Sequence, residues 1–177
     1  MDIIKLTKPC KTYKQQIEEF KKKFFDNGEP VIDGSGMLDQ LEFDSWLENT
    51  IRNSSEETVK DDWAVTDLFL GIRESDKKIV GIIDLRHTLA NENLRNYWGN
   101  VGYSVVPEER RKGYAVRMLQ LVIDYARKID IDDLMIACFS DNSASKKTIL
   151  KCGGHLTEQK NYLDGKPMEV YHITIND

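Results

Sequence analysis

The sequence predicts a single α/β domain in which a mixed β-sheet carries helices on its faces. Three observations predict this class. The chain has 177 residues, a length typical of one domain, and no repeat, low-complexity stretch or linker divides it. Its middle is dense in Val, Ile, Leu and Phe, as strands are. Residues 98–139 then read as strand, amphipathic helix and strand, so we assign residues 1–177 to one domain.

The first half of the chain predicts one strand, two helices and an antiparallel hairpin. In chain order these elements span residues 3–6, 11–25, 38–53, 63–72 and 79–87. Helical spacing turns four residues of the first helix inward, namely Ile17, Phe20, Phe24 and Phe25. Trp46 and Trp63 stand beside apolar residues, and we expect both rings in the core.

The second half predicts strands and helices in alternation, closed by a hairpin. In chain order these elements span residues 98–106, 113–129, 133–139, 143–152, 155–162 and 168–175. Pro107 ends the first of them because proline cannot donate a ladder hydrogen bond. Asp164 and Gly165 predict the turn of the last hairpin.

Composition argues against several classes of protein. Lys and Arg number 25 against 30 Asp and Glu, and the resulting net charge of −5 is the opposite of a nucleic-acid-binding surface. Mean hydropathy is −0.51, and no apolar run approaches the roughly 20 residues that cross a bilayer. Three cysteines without CxxC spacing and an N-terminus without an apolar signal stretch predict a reducing, cytoplasmic setting. The three histidines lie far apart, so we expect no metal site.

The clearest chemical signal is the segment Arg-Arg-Lys-Gly-Tyr-Ala at residues 110–115. It follows a strand that ends at Pro107, and a helix opens at Gly113. The first turn of a helix has free backbone N–H groups and the positive end of the dipole, which suits a pyrophosphate. The three cations add charge there, or they offset Glu108 and Glu109 instead.

This segment resembles the pyrophosphate-binding motif R/Q-x-x-G-x-G/A of the GNAT N-acetyltransferases. Its fixed positions are filled by Arg110, Gly113 and Ala115. Asn142 resembles the family's Asn at the end of the next strand, and Gly153 the glycine that closes the following helix. The resemblance covers about residues 63–175 and is nearest to a bacterial subgroup of predicted acetyltransferases. It implies a mostly antiparallel sheet in which two parallel strands splay apart to bind acetyl-CoA.

The resemblance also implies which residues hold acetyl-CoA. The backbone of Tyr103, Ser104 and Val105 is expected to hold the pantetheine arm and the acetyl carbonyl, with an N–H near Val105 or Val106 serving the developing oxyanion. Asn142 and Ser145 are expected beside the pantetheine. The residues expected at the pyrophosphate are Arg110, Arg111, Lys112, Gly113, Tyr114, Ala115 and Val116.

The chain departs from the family at Ile149, where many relatives have a tyrosine that protonates the leaving thiolate. Tyr162, Tyr171, Ser145 or water remain as donors, and the sequence does not choose among them. His87, at the end of a strand, is the first candidate for the base, and the competing interpretation is a histidine with a structural partner. Weaker base candidates are Asp84 and Glu92, while Tyr97 and Trp98 are expected to line the acceptor side.

The predicted activity is therefore transfer of an acetyl group from acetyl-CoA to a primary amine of a small molecule or peptide by direct attack. The missing tyrosine favours one alternative, a noncatalytic acyl-CoA-binding sensor or scaffold. A peptide-binding domain without a cofactor leaves residues 110–115 unexplained. A net charge of −5 mildly favours a cationic acceptor. Homodimers are common among relatives, so a homodimer is a further expectation, whereas no metal, nucleic acid or membrane partner is expected.

Overall fold

Two antiparallel sheets form the centre of the fold. The computed structural model describes residues 2–175. Its first sheet has four strands, β1 to β4, that pair in chain order and span Ile4–Thr7, Thr66–Arg73, Ile79–Arg86 and Val101–Val105. The strands of the second sheet, β5 to β7, span Asp133–Phe139, His155–Asn161 and Pro167–Thr174, with β7 in the middle. All these ladders are antiparallel, so the predicted antiparallel character is confirmed, while the expected single sheet is divided in two.

Four α-helices of the described residues connect these strands and cover the sheets. In chain order, α1 to α4 span Lys14–Asp26, Phe43–Arg52, Tyr114–Lys128 and Ser143–Lys151. Helix α3 joins β4 to β5, which confirms the predicted strand–helix–strand unit. Helix α2 begins later than predicted because turns precede it, in which Gly34, Gly36 and Met37 all have positive φ.

The first sheet is covered on both faces, which explains why its strands are apolar at successive residues. On β2, Leu68 and Leu70 pack into a core with α1 and α2, whereas Phe69 packs into a second core with α3. Trp46 is fully buried in the first of these cores and Met118 in the second. The predicted position of Trp46 is thus confirmed.

Two aromatic rings that the sequence placed in the core lie on the surface. Phe25 is 43% exposed because it stands one residue, or about 100° of helix rotation, beyond the buried stripe of α1 that contains Phe24. Trp63 is 41% exposed and precedes β2 in a turn, where Lys60 approaches its ring at 5.7 Å. The prediction of a core position was wrong for both.

A polar cluster around Asp67 fastens α3 to the first sheet. The carboxylate is buried on β2, accepts a hydrogen bond of 2.7 Å from the Tyr125 hydroxyl of α3, and pairs with Nε2 of His87 at 2.8 Å and with Lys8. Burial acts to raise the pKa of Asp67, but the bonds from His87, Lys8 and Tyr125 outweigh it and hold this pKa well below its ordinary value. The cluster therefore stabilises the fold through an ionised Asp67.

Replacing this carboxylate, in Asp67→Asn, should lower the free energy of unfolding by about 2 kcal/mol near neutral pH. Because the folded pKa lies below the unfolded value of roughly 4, this contribution is present above that value and is lost as the pH falls through the folded pKa. Urea denaturation should thus show the gap between wild type and variant narrowing below about pH 4. Asp124→Asn, which changes an exposed carboxylate of α3, is the control. A gap that stays constant with pH would contradict this account.

Candidate functional site

A cleft of about 760 Å³ opens where the two sheets separate, between the edge strands β4 and β5. These strands form no ladder with each other in residues 2–175, and a single bridge joins Gly99 to Ile136 at one end. The first turns of α3 and α4 also line the cleft. All of the residues predicted to bind acetyl-CoA line it except Lys112.

Asn100, which the sequence reasoning missed, holds the closed end of the cleft. Its side chain accepts a hydrogen bond of 2.9 Å from the Met135 N–H of β5 and donates one of 3.0 Å to the Arg86 carbonyl of β3. Its own N–H and carbonyl bind the same two residues at 2.7 Å. Gly99 beside it has a φ of 66°, and a Cβ there would lie 2.2 Å from the Met135 carbonyl oxygen. Only a glycine at this position lets the two sheets approach.

The open edge of β4 presents two backbone donors to the cleft. The Val106 N–H binds the Val80 carbonyl at 3.0 Å, so in this antiparallel register Ser104 also points its backbone groups at β3. The intervening N–H groups of Tyr103 and Val105 then face the open edge. The oxyanion donor that the sequence placed near Val105 or Val106 is consequently available only at Val105.

The turn before α3 has the backbone conformation of an anion-binding site. Arg111 and Gly113 have positive φ angles of 62° and 87°. The N–H groups of residues 111–116 have no hydrogen-bond acceptor within residues 2–175. They stand at the positive end of the α3 dipole, where helices bind phosphates.

The three cations of this turn have different partners. Arg110 forms a bidentate pair with Glu29, at 2.8 and 2.6 Å, and its Nε donates to the Val105 carbonyl. Lys112 pairs with Glu109 at 2.7 Å and does not line the cleft, and its predicted contact with the cofactor, through its backbone N–H, stays a prediction. Arg111 lines the cleft and has no ion pair with any described residue. The offset of charge by Glu108 or Glu109, which the sequence left open, applies within residues 2–175 to Lys112 alone, because the partner of Arg110 is Glu29.

Two further lysines line the cleft and were not among the residues predicted to bind acetyl-CoA. Lys147 and Lys151 are exposed on α4, one helical turn apart, and neither has an ion pair with a described residue. Their i,i+4 spacing on a predicted helix was the available signal. With Arg111 they bring three cations without an ion pair to a described residue into the lining of the cleft, although the whole chain is acidic.

The floor of the cleft contains a pair of hydroxyl groups. The Tyr103 hydroxyl lies 2.8 Å from Oγ of Ser145, and burial raises the pKa of Tyr103 above its ordinary value, so the phenol stays protonated. Asn142 lines the cleft, and its Oδ1 caps α4 by accepting the Ser145 N–H at 3.0 Å. The Nδ2 amino group of Asn142 has no hydrogen-bond partner among the described residues and remains for a ligand.

Ile149 is fully buried and does not line the cleft. A Cβ on Gly154 would lie 2.4 Å from the Ile149 Cγ2, so the close packing of this side chain requires the second glycine after α4. Cys152, on the same helix end, donates to the Val116 carbonyl, and burial raises its pKa to about 11. This agrees with an inert thiol.

Two of the three predicted catalytic residues lie outside the cleft. His87 is held by Asp67 in the cluster that fastens α3, and Tyr171 is buried with its hydroxyl on Glu169. His87 therefore has the structural partner that was the competing interpretation. Tyr162 does line the cleft, and its ring contacts Tyr97, Trp98 and Phe139 at centroid distances of 5.1, 5.6 and 5.7 Å.

Two acidic side chains lie on the face of β4 opposite to the Tyr103 side chain. Asp84 of β3 is buried and accepts hydrogen bonds of 2.8 Å from the Gly102 N–H and from Arg86. Asp33, which the sequence analysis passed over in an irregular stretch, lines the cleft beside it. Protein surrounds Asp33 on most sides although the cleft leaves it accessible, and this desolvation, together with the Asp84 carboxylate, raises the pKa of Asp33.

Two kinds of feature are absent from residues 2–175, a membrane-spanning helix and a group of metal-ligating side chains. None of the helices there has the length and apolar character to cross a bilayer. No three side chains of His, Cys, Asp or Glu in that range are grouped so that they could hold a metal ion.

Known proteins resemble this chain in sequence and in fold. The sequence profile of the acetyltransferase (GNAT) domain matches residues 17–155. The curated relative YoaA of Bacillus subtilis (strain 168), described as an uncharacterised N-acetyltransferase, is 30% identical over 107 residues. The match covers 57% of this chain and 58% of that relative, so the chain aligns with less than two thirds of it.

Solved structures share the fold over nearly the whole chain. The microcin C7 self-immunity acetyltransferase MccE, solved with acetyl-CoA and AMP, has a TM-score of 0.74 at 18% identity and covers 99% of this chain and 94% of its own. RimJ of Mycobacterium smegmatis, solved with a coenzyme A disulfide, has a TM-score of 0.72 at 15% identity, covering 98% and 82%. At these identities the likeness establishes the fold.

The Asn100 junction can be tested by Asn100→Ala, which leaves two buried backbone groups without a partner and should lower the free energy of unfolding by about 3 kcal/mol. Asn96→Ala, at an exposed position just before the junction, is the matched control and should change it by less than about 0.5 kcal/mol. Urea denaturation measures both. Equal stability of the two variants would show that the junction does not hold the sheets.

Proposed function

This chain belongs to the acetyltransferase (GNAT) family, and from that premise we propose that it transfers an acetyl group from acetyl-CoA to a primary amine of a small molecule or peptide. The observation that carries the proposal is the turn at Arg111–Gly113, whose free N–H groups open onto the cleft between β4 and β5. A pyrophosphate bound there leaves the pantetheine arm to follow the open edge of β4. The acceptor amine then enters from the face of β4 opposite to Tyr103.

The proposed reaction depends mainly on orientation and on charge stabilisation. The N–H groups of Tyr103 and Val105 hold the arm and the acetyl carbonyl, and the Val105 N–H is the donor for the developing oxyanion. A fixed thioester beside a bound amine converts a bimolecular attack into an effectively unimolecular one. No covalent intermediate with the protein is required.

The leaving thiolate takes its proton from a hydroxyl group of the cleft in this proposal. Ile149 cannot supply one, and Tyr171 lies outside the cleft. Tyr103 and Ser145 form a hydrogen-bonded pair beside the expected path of the pantetheine. Because a thiol is a fairly strong acid, the thiolate leaves readily and this donor aids the reaction without being essential.

The buried Ile149 favours the second candidate function, a noncatalytic protein that binds acyl-CoA as a sensor or scaffold. Thermal shift with acetyl-CoA and thiol release in the presence of amines separate the two. Binding with thiol release supports the transferase, and binding without release from any of a panel of polyamines, amino acids, aminoglycosides and peptides supports the sensor. The homodimer and the cytoplasmic setting stay predictions, and light scattering of the purified chain checks the first.

Gly113→Glu should abolish the rise in melting temperature that acetyl-CoA produces. The new side chain strains a position with a φ of 87° and places a negative charge among the N–H groups that bind the pyrophosphate. Gly165→Glu makes the same change at a φ of 84° in the β6–β7 turn, where a Cβ meets no atom within 4 Å. This control should keep the full shift, and a shift retained in Gly113→Glu would overturn the site.

Arg111→Ala should weaken acetyl-CoA binding about threefold to tenfold and reduce the dependence of binding on salt concentration. Arg111 has no ion pair with a described residue, so its charge is free for a phosphate. Lys112→Ala removes the neighbouring cation, which is neutralised by Glu109 outside the cleft, and should change binding by less than about twofold. Isothermal titration at two salt concentrations distinguishes these outcomes. The same loss in both variants would assign the effect to net charge alone.

A further inference from the structure

Asp33 lies against the face of β4 that is opposite to the Tyr103–Ser145 pair on the floor of the cleft. Side chains alternate along a strand, so Tyr103 points toward Ser145 while Gly102 and Ser104 point to the other face. There Oγ of Ser104 donates to the Asp33 carbonyl at 2.9 Å. Gly34 presses on Gly102 so closely that a Cβ at Gly34 would lie 2.1 Å from the Gly102 carbonyl oxygen. The backbone of Asp33 is therefore pinned against the strand that is proposed to hold the acetyl group.

The Asp33 carboxylate itself is free. No donor within residues 2–175 is hydrogen-bonded to it, and it lines the cleft where a ligand can reach it. The charged groups that act on it are the carboxylates of Asp84 and Asp39 and the guanidinium of Arg86. Arg86 is already engaged, because it donates to Asp84 at 2.8 Å and to the Gly99 carbonyl at 3.2 Å. A cationic ligand is the remaining partner for Asp33.

The lining of the same cleft includes an aromatic wall formed by Trp98, Tyr162 and Tyr97. Trp98 is 42% exposed there and stacks edge-on against Tyr162, which also contacts Tyr97. The Trp98 carbonyl lies 3.4 Å from the guanidinium of Arg86, which also donates to Asp84. Arg86 therefore connects the aromatic wall to the carboxylate beside Asp33. A partly exposed tryptophan in the lining of a cleft suits an apolar or aromatic group, and aromatic faces also attract cations.

We propose that Asp33 is the catalytic base of the acetyl transfer, and that the acceptor is an ammonium carried beside an apolar or aromatic group. This inference rests on the proposed function. The free carboxylate binds the ammonium, and the Trp98–Tyr162 wall binds the group next to it. The net charge of −5 then assists the approach of a cation without defining it.

The proton balance of the step is complete with this assignment. The ammonium gives one proton to the Asp33 carboxylate, and its nitrogen lone pair then forms the N–C bond with the thioester carbonyl. The C–S bond breaks as the carbonyl reforms, and the second proton of the nitrogen goes to the sulfur, directly or through a cleft hydroxyl. Asp33 returns its proton to solvent. The elevated pKa of Asp33 makes it a better proton acceptor than an ordinary carboxylate.

Asp33→Asn tests the base with 2-phenylethylamine as the acceptor and acetylated product measured by mass spectrometry. The variant should lower kcat/KM near neutral pH by about 100-fold or more, while acetyl-CoA raises its melting temperature as in wild type. Its rate should rise with pH until the free amine predominates, whereas the wild-type rate levels off earlier. Phenylhydrazine, whose nitrogen is unprotonated near neutral pH, should lose less than about tenfold, because it needs no base.

Asp44→Asn is the matched control, since Asp44 is an exposed carboxylate of α2 that lies outside the cleft and does not act on the pKa of Asp33. It should behave as wild type with both nucleophiles. No loss in Asp33→Asn, or an equal loss with 2-phenylethylamine and phenylhydrazine, would overturn the role of base. If acetyl-CoA fails to stabilise the wild-type chain, the proposed function fails first, and the two failures are thereby distinguished.

The acceptor class is tested by comparing 2-phenylethylamine with ethylamine, which has the same reacting group without the ring. Wild type should prefer the former in kcat/KM by about tenfold or more, and Trp98→Ala should lose most of that preference through KM. Equal use of the two amines would overturn the aromatic part of the proposal. If neither amine is acetylated, and ligand-observed NMR shows no binding of 2-phenylethylamine to the acetyl-CoA complex, the whole assignment is overturned.

Discussion

The junction at Gly99 and Asn100 is the constraint on which both the fold and the cleft depend. Asn100 satisfies backbone groups of Arg86 and Met135 with its side chain and again with its own backbone, so it joins the two sheets at one point. Beyond that point the facing edges of β4 and β5 pair with no strand in the described part of the chain. Unpaired strand edges are costly in an apolar core, but in a cleft they are accessible to water or a ligand. The same junction that closes the fold thus leaves the cleft open.

Strand β4 serves several purposes because its two edges and its two faces point in different directions. Its inner edge is bound to β3, its outer edge offers the N–H groups of Tyr103 and Val105, and its two faces carry alternating side chains. The face of Tyr103 belongs to the cofactor side and the face of Ser104 to the side of Asp33. One short strand therefore positions the acetyl donor and the amine acceptor of the proposed reaction relative to each other, with no loop between them.

The parts of the site that could be predicted from the sequence are those in which the chemistry is local. The turn at residues 110–115 combines a strand end, a glycine and a helix start, and these neighbours in sequence remain neighbours in space. Asp33 reaches the same cleft from a distant part of the chain, and no local pattern marks it. His87 shows the opposite error. Its position at the end of a strand predicted that it would lie in the site, but the local sequence does not show that Asp67 binds its ring.

Holding a catalytic base in place through its backbone differs physically from donating hydrogen bonds to its carboxylate. The segment around Asp33 illustrates the difference. A carboxylate that accepts hydrogen bonds from the protein is well placed, but those bonds stabilise its charge and weaken it as a proton acceptor. Here the bidentate pair of Arg110 with Glu29 and the bond from Ser104 to the Asp33 carbonyl hold the segment from its ends and its backbone. The carboxylate oxygens of Asp33 are left without a hydrogen-bond donor among residues 2–175. The fold therefore fixes where the carboxylate lies while its lone pairs remain available for a proton.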